Sequence, residues 1–267
     1  RRLKLPQIPL FQRYAVPVDS VNIRIFALIA LWVSGEEQQA VSDRVALVMG
    51  GGAGTGRATA LAFAREGARV VVADINEKGA QKTLALVRDS GGNGIAIQAD
   101  MSRSADIRGV IAATRETFGA LHWVSNNAAR APDNKSVTEL AEDEWDSCMS
   151  VTLRGVWLCM KHQLPLIEAS GGGAIVNVAS LSGMRGDAHQ AAYAAAKGGV
   201  LALSKSVASE YARRGVRVNT VCPGGINSKG MDFFLKSMPE LREKTLNIHA
   251  MGRLAEPQEI ADAVRGL

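Results

Sequence analysis

Arg44-Val45-Ala46-Leu47-Val48-Met49-Gly50-Gly51-Gly52-Ala53-Gly54-Thr55-Gly56 is the stretch on which the fold turns. Its first half is a short, β-branched apolar run, which reads as a buried parallel strand. Its second half spaces glycines as Gly-x-x-x-Gly-x-Gly (Gly50, Gly54, Gly56), and a helix is expected from Arg57 to Glu66. A tight turn of this kind presents the free N–H groups of a helix N-terminus, and these suit a pyrophosphate. Glycines let the backbone approach the phosphates and let the helix pack close to the sheet. The run lacks the Lys-Ser/Thr ending of a P-loop. A plain glycine-rich joint between strand and helix is the other reading of the same residues.

Working outward, five more strand signals follow at regular spacing. They are 68–73 ending at Asp74, 94–99 ending at Asp100, 121–125, 173–178 and 216–221. Helical stretches of suitable length lie between them. Strands alternating with helices predict an α/β fold, a Rossmann-like doubly wound parallel sheet with helices on both faces. Residues 43–267 read as a single nucleotide-binding domain, without internal repeat or low-complexity linker. After Arg253-Leu254-Ala255-Glu256-Pro257-Gln258-Glu259-Ile260-Ala261 the chain stops where a seventh strand is expected. The C-terminal strand is thus read as missing, through truncation or because that sheet edge is left uncovered.

Residues 1–42 show no sustained period of 3.6 or 2. The apolar run Ile25–Val33 is nine residues long, too short to span a bilayer. Three readings stand for this extension: a non-native or disordered addition, a weak membrane-surface anchor, or a capping segment. The 267-residue chain carries a formal charge of +5, but five basic residues (Arg1, Arg2, Lys4, Arg13, Arg24) face only Asp19 in residues 1–24. The remainder therefore holds about +1 and no basic stripe, which argues against a nucleic-acid partner. Cys148, Cys159 and Cys222 lack the spacing of a zinc site or a disulfide framework, and the four histidines form no ligand pair. No metal is expected, and a reducing, cytoplasmic setting is the simplest inference.

Asp74 ends the second strand about twenty residues after the glycine turn. A carboxylate there can accept hydrogen bonds from ribose hydroxyls and would repel a 2′-phosphate. NAD is therefore expected as cofactor in preference to NADP; a simple strand-end cap is the alternative. Tyr193 and Lys197 stand four apart, one turn of helix on the same face, and Ser180 lies thirteen residues upstream. A Tyr titrates near ~10, and a neighbouring cation favours its phenolate. The pair suits a general acid/base acting on an alcohol oxygen. By spacing alone the two could equally be ordinary helix residues.

Taken in order, Gly50-x-x-x-Gly54-x-Gly56, Asp74, Asp100, Asn126-Asn127-Ala128, Ser180, Tyr193-x-x-x-Lys197 and Pro223-Gly224 resemble the short-chain dehydrogenase/reductase family from about Asp43 onward. The resemblance implies Tyr193 as catalytic acid/base and Lys197 as the group that lowers its pKa and binds the nicotinamide ribose. It implies that Ser180 holds the substrate oxygen. Gly50, Gly54, Thr55, Gly56, Asp74, Asp100, Met101, Asn126, Ala128, Pro223, Gly224, Ile226 and Ser228 would contact the cofactor, together with Tyr193 and Lys197. Three positions depart from the family pattern: Met49 for Thr, Ala129 for Gly, and Thr152 for an Asn that holds a relay water near the lysine. Thr152 is expected to fill that relay with less reach.

The reaction so implied interconverts a secondary alcohol and a ketone by hydride transfer. The alternative is a cofactor-binding protein with little or no catalysis, a scaffold or redox sensor, suggested by Thr152 and the early end. The resemblance further implies a homo-oligomer, dimer or tetramer. The segment from Ser228 to about Met251 is expected to overhang the site, with Met231, Phe233, Phe234, Leu235 and Met238 as an apolar lid. Met184 and His189 would form its floor; the same apolar residues could instead be the core face of a helix.

Overall fold

A computed structural model describes residues 43–131, 134–228, 231, 235–236 and 240–267. The 1–42 extension and the lid candidates Phe233, Phe234 and Met238 lie outside the described residues. The central sheet has six parallel strands: β1 Val45–Met49, β2 Arg69–Asp74, β3 Gly94–Gln98, β4 Trp123–Asn126, β5 Gly173–Val178 and β6 Val216–Val221. Their order is β3-β2-β1-β4-β5-β6, so the winding reverses between β1 and β4. That reversal opens a crevice at the carboxyl ends of the strands, where ligands of such sheets bind.

The strand signals place all six strands within two residues of their observed bounds. The first helix differs: α1 runs Gly54–Arg65, starting three residues ahead of the expected Arg57. Glycines read as loop, yet Gly54 and Gly56 form the first turn of the helix. Its N-terminus has no side-chain cap and no acidic residue in the first turn, leaving its N–H groups and positive dipole end open.

Period-two alternation divides the core. Val45, Leu47 and Met49 face a cluster with helices α3 (Ser104–Phe118), α5 (Gly155–Ala169) and α7 (Ala191–Tyr211). Ala46 and Val48 face the other cluster, with α1, α2 (Glu77–Asp89) and α9 (Pro257–Arg265). Between them come α4 (Glu142–Met149), the short α6 (Ser182–Arg185) and, before α9, α8 (Glu240–Asn247). α9 is started by rule, with Pro257 in its first turn and Glu259 reaching back to the Glu256 N–H at 2.8 Å. It packs on α1 through the small residues Ala58, Ala62 and Ala261. At the opposite edge of the strands, buried His122 accepts the Val45 N–H at Nδ1, 3.0 Å away. Burial, with Arg44 and Arg69 nearby, holds that imidazole neutral by lowering its pKa. Among the described residues no helix is long and apolar enough to cross a membrane.

Candidate active site

The glycine turn is built by close backbone approach. Gly50 has a φ of 81°, and a Cβ on it would lie 2.6 Å from the Ala128 N, so both glycine's left-handed freedom and its lack of side chain are required. A Cβ on Gly56 would sit 2.0 Å from the Gly50 carbonyl oxygen, whereas the space before Gly54 is open. Asp74 orders the turn from β2: its Oδ2 accepts the Gly52 N–H and its Oδ1 the Asn76 N–H, each at 2.8 Å. Arg57, absent from the sequence expectations, binds the Gly52 carbonyl and donates to the Thr83 hydroxyl at 2.9 Å. Thr83 in turn donates to the Gly51 carbonyl. The open α1 terminus, the clear space before Gly54 and the carboxylate of Asp74 fit a dinucleotide.

Asp100 follows β3, and its Oδ1 accepts both the N–H and the hydroxyl of Ser102 at 2.8 Å. It lines a cleft of about 590 Å³ with Ile75, Ile97, Gln98, Arg103 and Asp106. Ile75, next to Asp74, is 64% exposed; an exposed isoleucine beside a cofactor turn is a signal the strand reading passed over. Met101, expected at the cofactor, has its side chain buried in the core cluster that also holds Val110 and Leu121.

Asn126 ends β4, at the start of the Asn-Asn-Ala segment. Its side chain points into the α5/α7 layer, donating to the Asn177 Oδ1 at 2.9 Å and exchanging hydrogen bonds with Gln163. Asn177 continues the chain to Ser204 on α7 at 2.9 Å. These side chains are fully buried and mutually satisfied, which fixes the layer. The tie to the cofactor turn comes from Asn127, which accepts the Thr55 hydroxyl at 2.8 Å and donates to the Gly50 carbonyl at 3.3 Å.

Ser180, Tyr193 and Lys197 are brought together at the end of β5. The Tyr193 phenol lies near enough to the Ser180 hydroxyl for that group to favour its ionised form. Lys197 lies over the Tyr193 ring, its Nζ 5.6 Å from the centroid, and donates to the Val178 carbonyl at 2.5 Å. Gly183 of α6 makes the approach possible, since a Cβ there would meet the Lys197 carbonyl carbon at 2.6 Å. Lys197 is 2% exposed, and burial drives its pKa down to about 8. Burial pushes the Tyr193 phenol up, opposed by the neighbouring Ser180 hydroxyl. Burial is the largest influence on the phenol.

Thr152 is bonded to the Arg130 backbone. It is fully buried within a π-helical turn, Ser150–Arg154, that joins α4 to α5. Its Oγ1 donates to the Arg130 carbonyl at 2.8 Å and accepts the Arg130 N–H at 2.9 Å. Such turns interrupt helices at functional sites.

The Pro223 segment closes the other side. The Pro223 carbonyl accepts the Leu181 N–H at 2.9 Å, coupling it to the Ser180 loop. His249 supports the next peptide, accepting the Gly225 N–H at Nε2 (2.7 Å) while its Nδ1 faces the Thr245 carbonyl. Histidine counting in the sequence gave no sign of this tie. Gly224 packs against that imidazole, and Ile226 bridges to Ala255. Ser228 accepts the Met231 N–H at 3.2 Å. Met184 is 64% exposed, and His189 is also exposed and takes a φ of 63°, alone among described non-glycine residues in the left-handed region. Among the described residues no group of His, Cys, Asp or Glu could hold a metal ion.

A family model described as "Enoyl-(Acyl carrier protein) reductase" matches residues 50–267. The chain is 40% identical over 239 residues to the short chain dehydrogenase/reductase astE of Aspergillus oryzae, covering 87% of this chain and 90% of that one. It is 38% identical to a cyclohexanol dehydrogenase of an Acinetobacter species, covering 84% and 86%. A solved structure of NAD+-bound xylitol dehydrogenase superposes with a TM-score of 0.81 at 26% identity, covering 84% of this chain and 92% of that one.

Proposed function

Because the chain belongs to the short-chain dehydrogenase/reductase family and is an oxidoreductase, we propose that it interconverts a secondary alcohol and a ketone with NAD, using Tyr193 as acid/base. The observation that carries this reading is the convergence of Ser180, Tyr193 and Lys197 at the carboxyl end of β5, beside the switch point. The nicotinamide supplies the hydride acceptor or donor. The open end of α1 and the Gly50–Gly56 turn would bind its pyrophosphate, and the Ile75 cleft its adenine. Ser180 holds the substrate oxygen by hydrogen bond and orients the carbinol carbon. In alcohol oxidation Tyr193 takes the hydroxyl proton at its phenolate oxygen; in reduction it returns that proton to the carbonyl oxygen. Lys197 faces the Tyr193 ring and would bind the ribose next to it. Gly224, Ile226 and Ser228 would border the nicotinamide.

Six-membered-ring alcohols are the substrate class to try first, given the name of the Acinetobacter relative. A panel of cyclic and acyclic secondary alcohols and their ketones, followed at the nicotinamide absorbance, should give turnover with at least one pair. NAD binding without turnover across the panel would favour the non-catalytic reading instead.

Cofactor choice is assigned to Asp74. Asp74→Asn keeps one oxygen for the Gly52 N–H and removes the charge that opposes a 2′-phosphate. A charge-assisted hydrogen bond contributes about 1.5–3 kcal/mol, so the NAD/NADP ratio of kcat/KM should fall by about tenfold or more. An unchanged ratio would move the selectivity elsewhere, with Arg57 the next residue to test.

A further inference from the structure

We propose that His249 is a positioning residue for the hydride step: it holds the Gly224–Ile226 peptides against which the nicotinamide lies, and it can do so only as a neutral imidazole. This rests on the reading of the chain as a nicotinamide-dependent oxidoreductase.

The two bonds of the ring fix its chemistry. The Gly225 N–H can only donate, and the Thr245 carbonyl can only accept. Nε2 stands 2.7 Å from that N–H and Nδ1 2.9 Å from that carbonyl, so the proton sits on Nδ1 and Nε2 is bare. On the Nδ1 side the residue caps α8, whose last carbonyls have no partner within the helix. The His249 N–H adds a bond to the Leu246 carbonyl at 3.0 Å. A second proton on the ring leaves that side intact. On the other side it turns Nε2 into a donor facing a donor.

The peptides that rest on the ring are stitched into the site from both sides. A Cβ on Gly224 would lie 2.9 Å from Nε2, and one on Gly225 would lie 3.0 Å from Nε2 and 2.7 Å from Leu254 Cδ2. Before them, the Pro223 carbonyl accepts the N–H of Leu181, the neighbour of Ser180. After them, the Gly225 carbonyl accepts the Ala255 N–H at 2.9 Å, and the Asn227 N–H donates to the Ala255 carbonyl at 2.8 Å. Ile226 lies between these bonds, and among the described residues its own N–H and carbonyl have no hydrogen-bond partner. Those two groups are left for the nicotinamide carboxamide. The Gly225 N–H is thus the point where a side chain able to change charge holds the stretch between Ser180 and the cofactor. An error of about 1 Å in such a reach can cost on the order of a hundredfold in rate.

The charged residues on the elements around the ring are Glu240, Arg242, Glu243 and Lys244 of α8, Arg253 paired with Glu259 at 2.7 Å, and Glu256, which accepts the Asn227 amide at 2.9 Å. None of them enters the two ring bonds. The change of Nε2 from acceptor to donor therefore acts on the Gly225 peptide directly.

The test uses the full chain with His249→Asn and His249→Gln. Asparagine can place an amide N–H where Nδ1 stands but offers nothing at Nε2; glutamine can place an oxygen at Nε2. NADH and ADP-ribose, which lacks the nicotinamide, are titrated by calorimetry at pH 8. His249→Asn should bind NADH about tenfold more weakly and ADP-ribose as the parent does. Its kcat with the best alcohol of the panel should fall about tenfold. Amide hydrogen exchange at Gly225 should rise at least tenfold, and His249→Gln should rescue all three. Imidazoles charge between about pH 8 and pH 5. Lowering the pH from 8 to 5.5 should therefore shrink the parent's preference for NADH over ADP-ribose, a ratio in which groups at the adenosine end cancel. In His249→Gln the ratio should hold constant. Parental NADH binding in His249→Asn with a loss in His249→Gln would make the residue a helix cap alone and overturn the proposal. So would a parental ratio that ignores pH, or ADP-ribose weakened as much as NADH. Should His249→Asn not fold, the parent against His249→Gln across pH decides. A parent that binds NADH without turnover would strike the catalytic reading alone, with binding and exchange still deciding the role of His249. A parent that binds NADH no tighter than ADP-ribose would overturn the role itself.

Discussion

Tyr193→Phe is expected to lower kcat for alcohol oxidation about 10³-fold while leaving the fold and NAD binding in place. The substitution removes one oxygen and nothing else. What it loses is the approach of the phenol to Ser180, whose hydroxyl keeps the Ser182 N–H as a partner at 3.2 Å. Such a change costs on the order of 1 kcal/mol of stability, which a domain of this size tolerates. The catalytic loss is larger because the phenol oxygen is the group to which the proton transfer is assigned. The parent protein carries a further signature. Burial raises the Tyr193 pKa, and oxidation needs its phenolate. Below that pKa the phenolate fraction grows tenfold per pH unit, so oxidation should climb as pH rises, whereas ketone reduction, which needs the phenol, should hold at neutral pH. The Tyr193→Phe protein should lack the climb. Steady-state rates from pH 6 to 10, with NAD titrated by fluorescence, measure all of this. A residual kcat within tenfold of the parent would remove Tyr193 as the acid/base.

How much of this was legible beforehand follows the physics of each signal. Strands buried on both faces announce themselves as β-branched runs, and Val45–Met49 or Arg69–Asp74 need no tertiary knowledge to be placed. Helix starts are weaker signals. Gly54 and Gly56 have loop propensity, and only the packing of α1 against the sheet makes them helical. Among site residues, those joined by a short sequence interval were readable: Tyr193 and Lys197 lie one helical turn apart, and the glycines within one loop. Residues whose role depends on what lies across the fold were not. Asn126 and Asn127 are adjacent and chemically identical, yet strand alternation sends one side chain to Gln163 and the other to Thr55. Nothing within the pair tells which is which. His249, 24 residues from the Gly225 peptide it supports, belongs to the same class. Thr152 shows a third kind of failure. The sequence comparison asked what its hydroxyl could do for a water, whereas its partners are the N–H and carbonyl of one residue 22 positions away.

Lys197→Met should abolish most activity and yet raise the melting temperature at neutral pH. The lysine is a charged group with almost no exposure, and its pKa has fallen from 10.5 to about 8 through burial. A displacement of that size corresponds to on the order of 3 kcal/mol of unfavourable burial. Below pH 8 both the folded and the unfolded chain hold the proton, so the fold carries that cost in full. Between pH 8 and 10.5 the folded chain has released the proton and the unfolded chain still binds it. Stability of the parent therefore rises with pH across this window. Methionine has nearly the same length and no charge, so it escapes the cost, but it leaves the Val178 carbonyl without its donor, a loss of about 1–3 kcal/mol. The net gain should be largest below pH 8, roughly 1 kcal/mol or a few degrees. It should vanish or reverse by pH 10.5, where the neutral amine still donates to Val178 and methionine does not. Calorimetry of both proteins at pH 7 and pH 10 tests the sign and the crossover, and the pH-dependent part common to every other group cancels in the difference. A melting temperature lowered equally at both values would show that Lys197 is held for its hydrogen bond and not at the expense of stability. The expected pattern would mean that the fold keeps a cation against the Tyr193 ring, at a cost borne by the whole domain, because the chemistry requires it there.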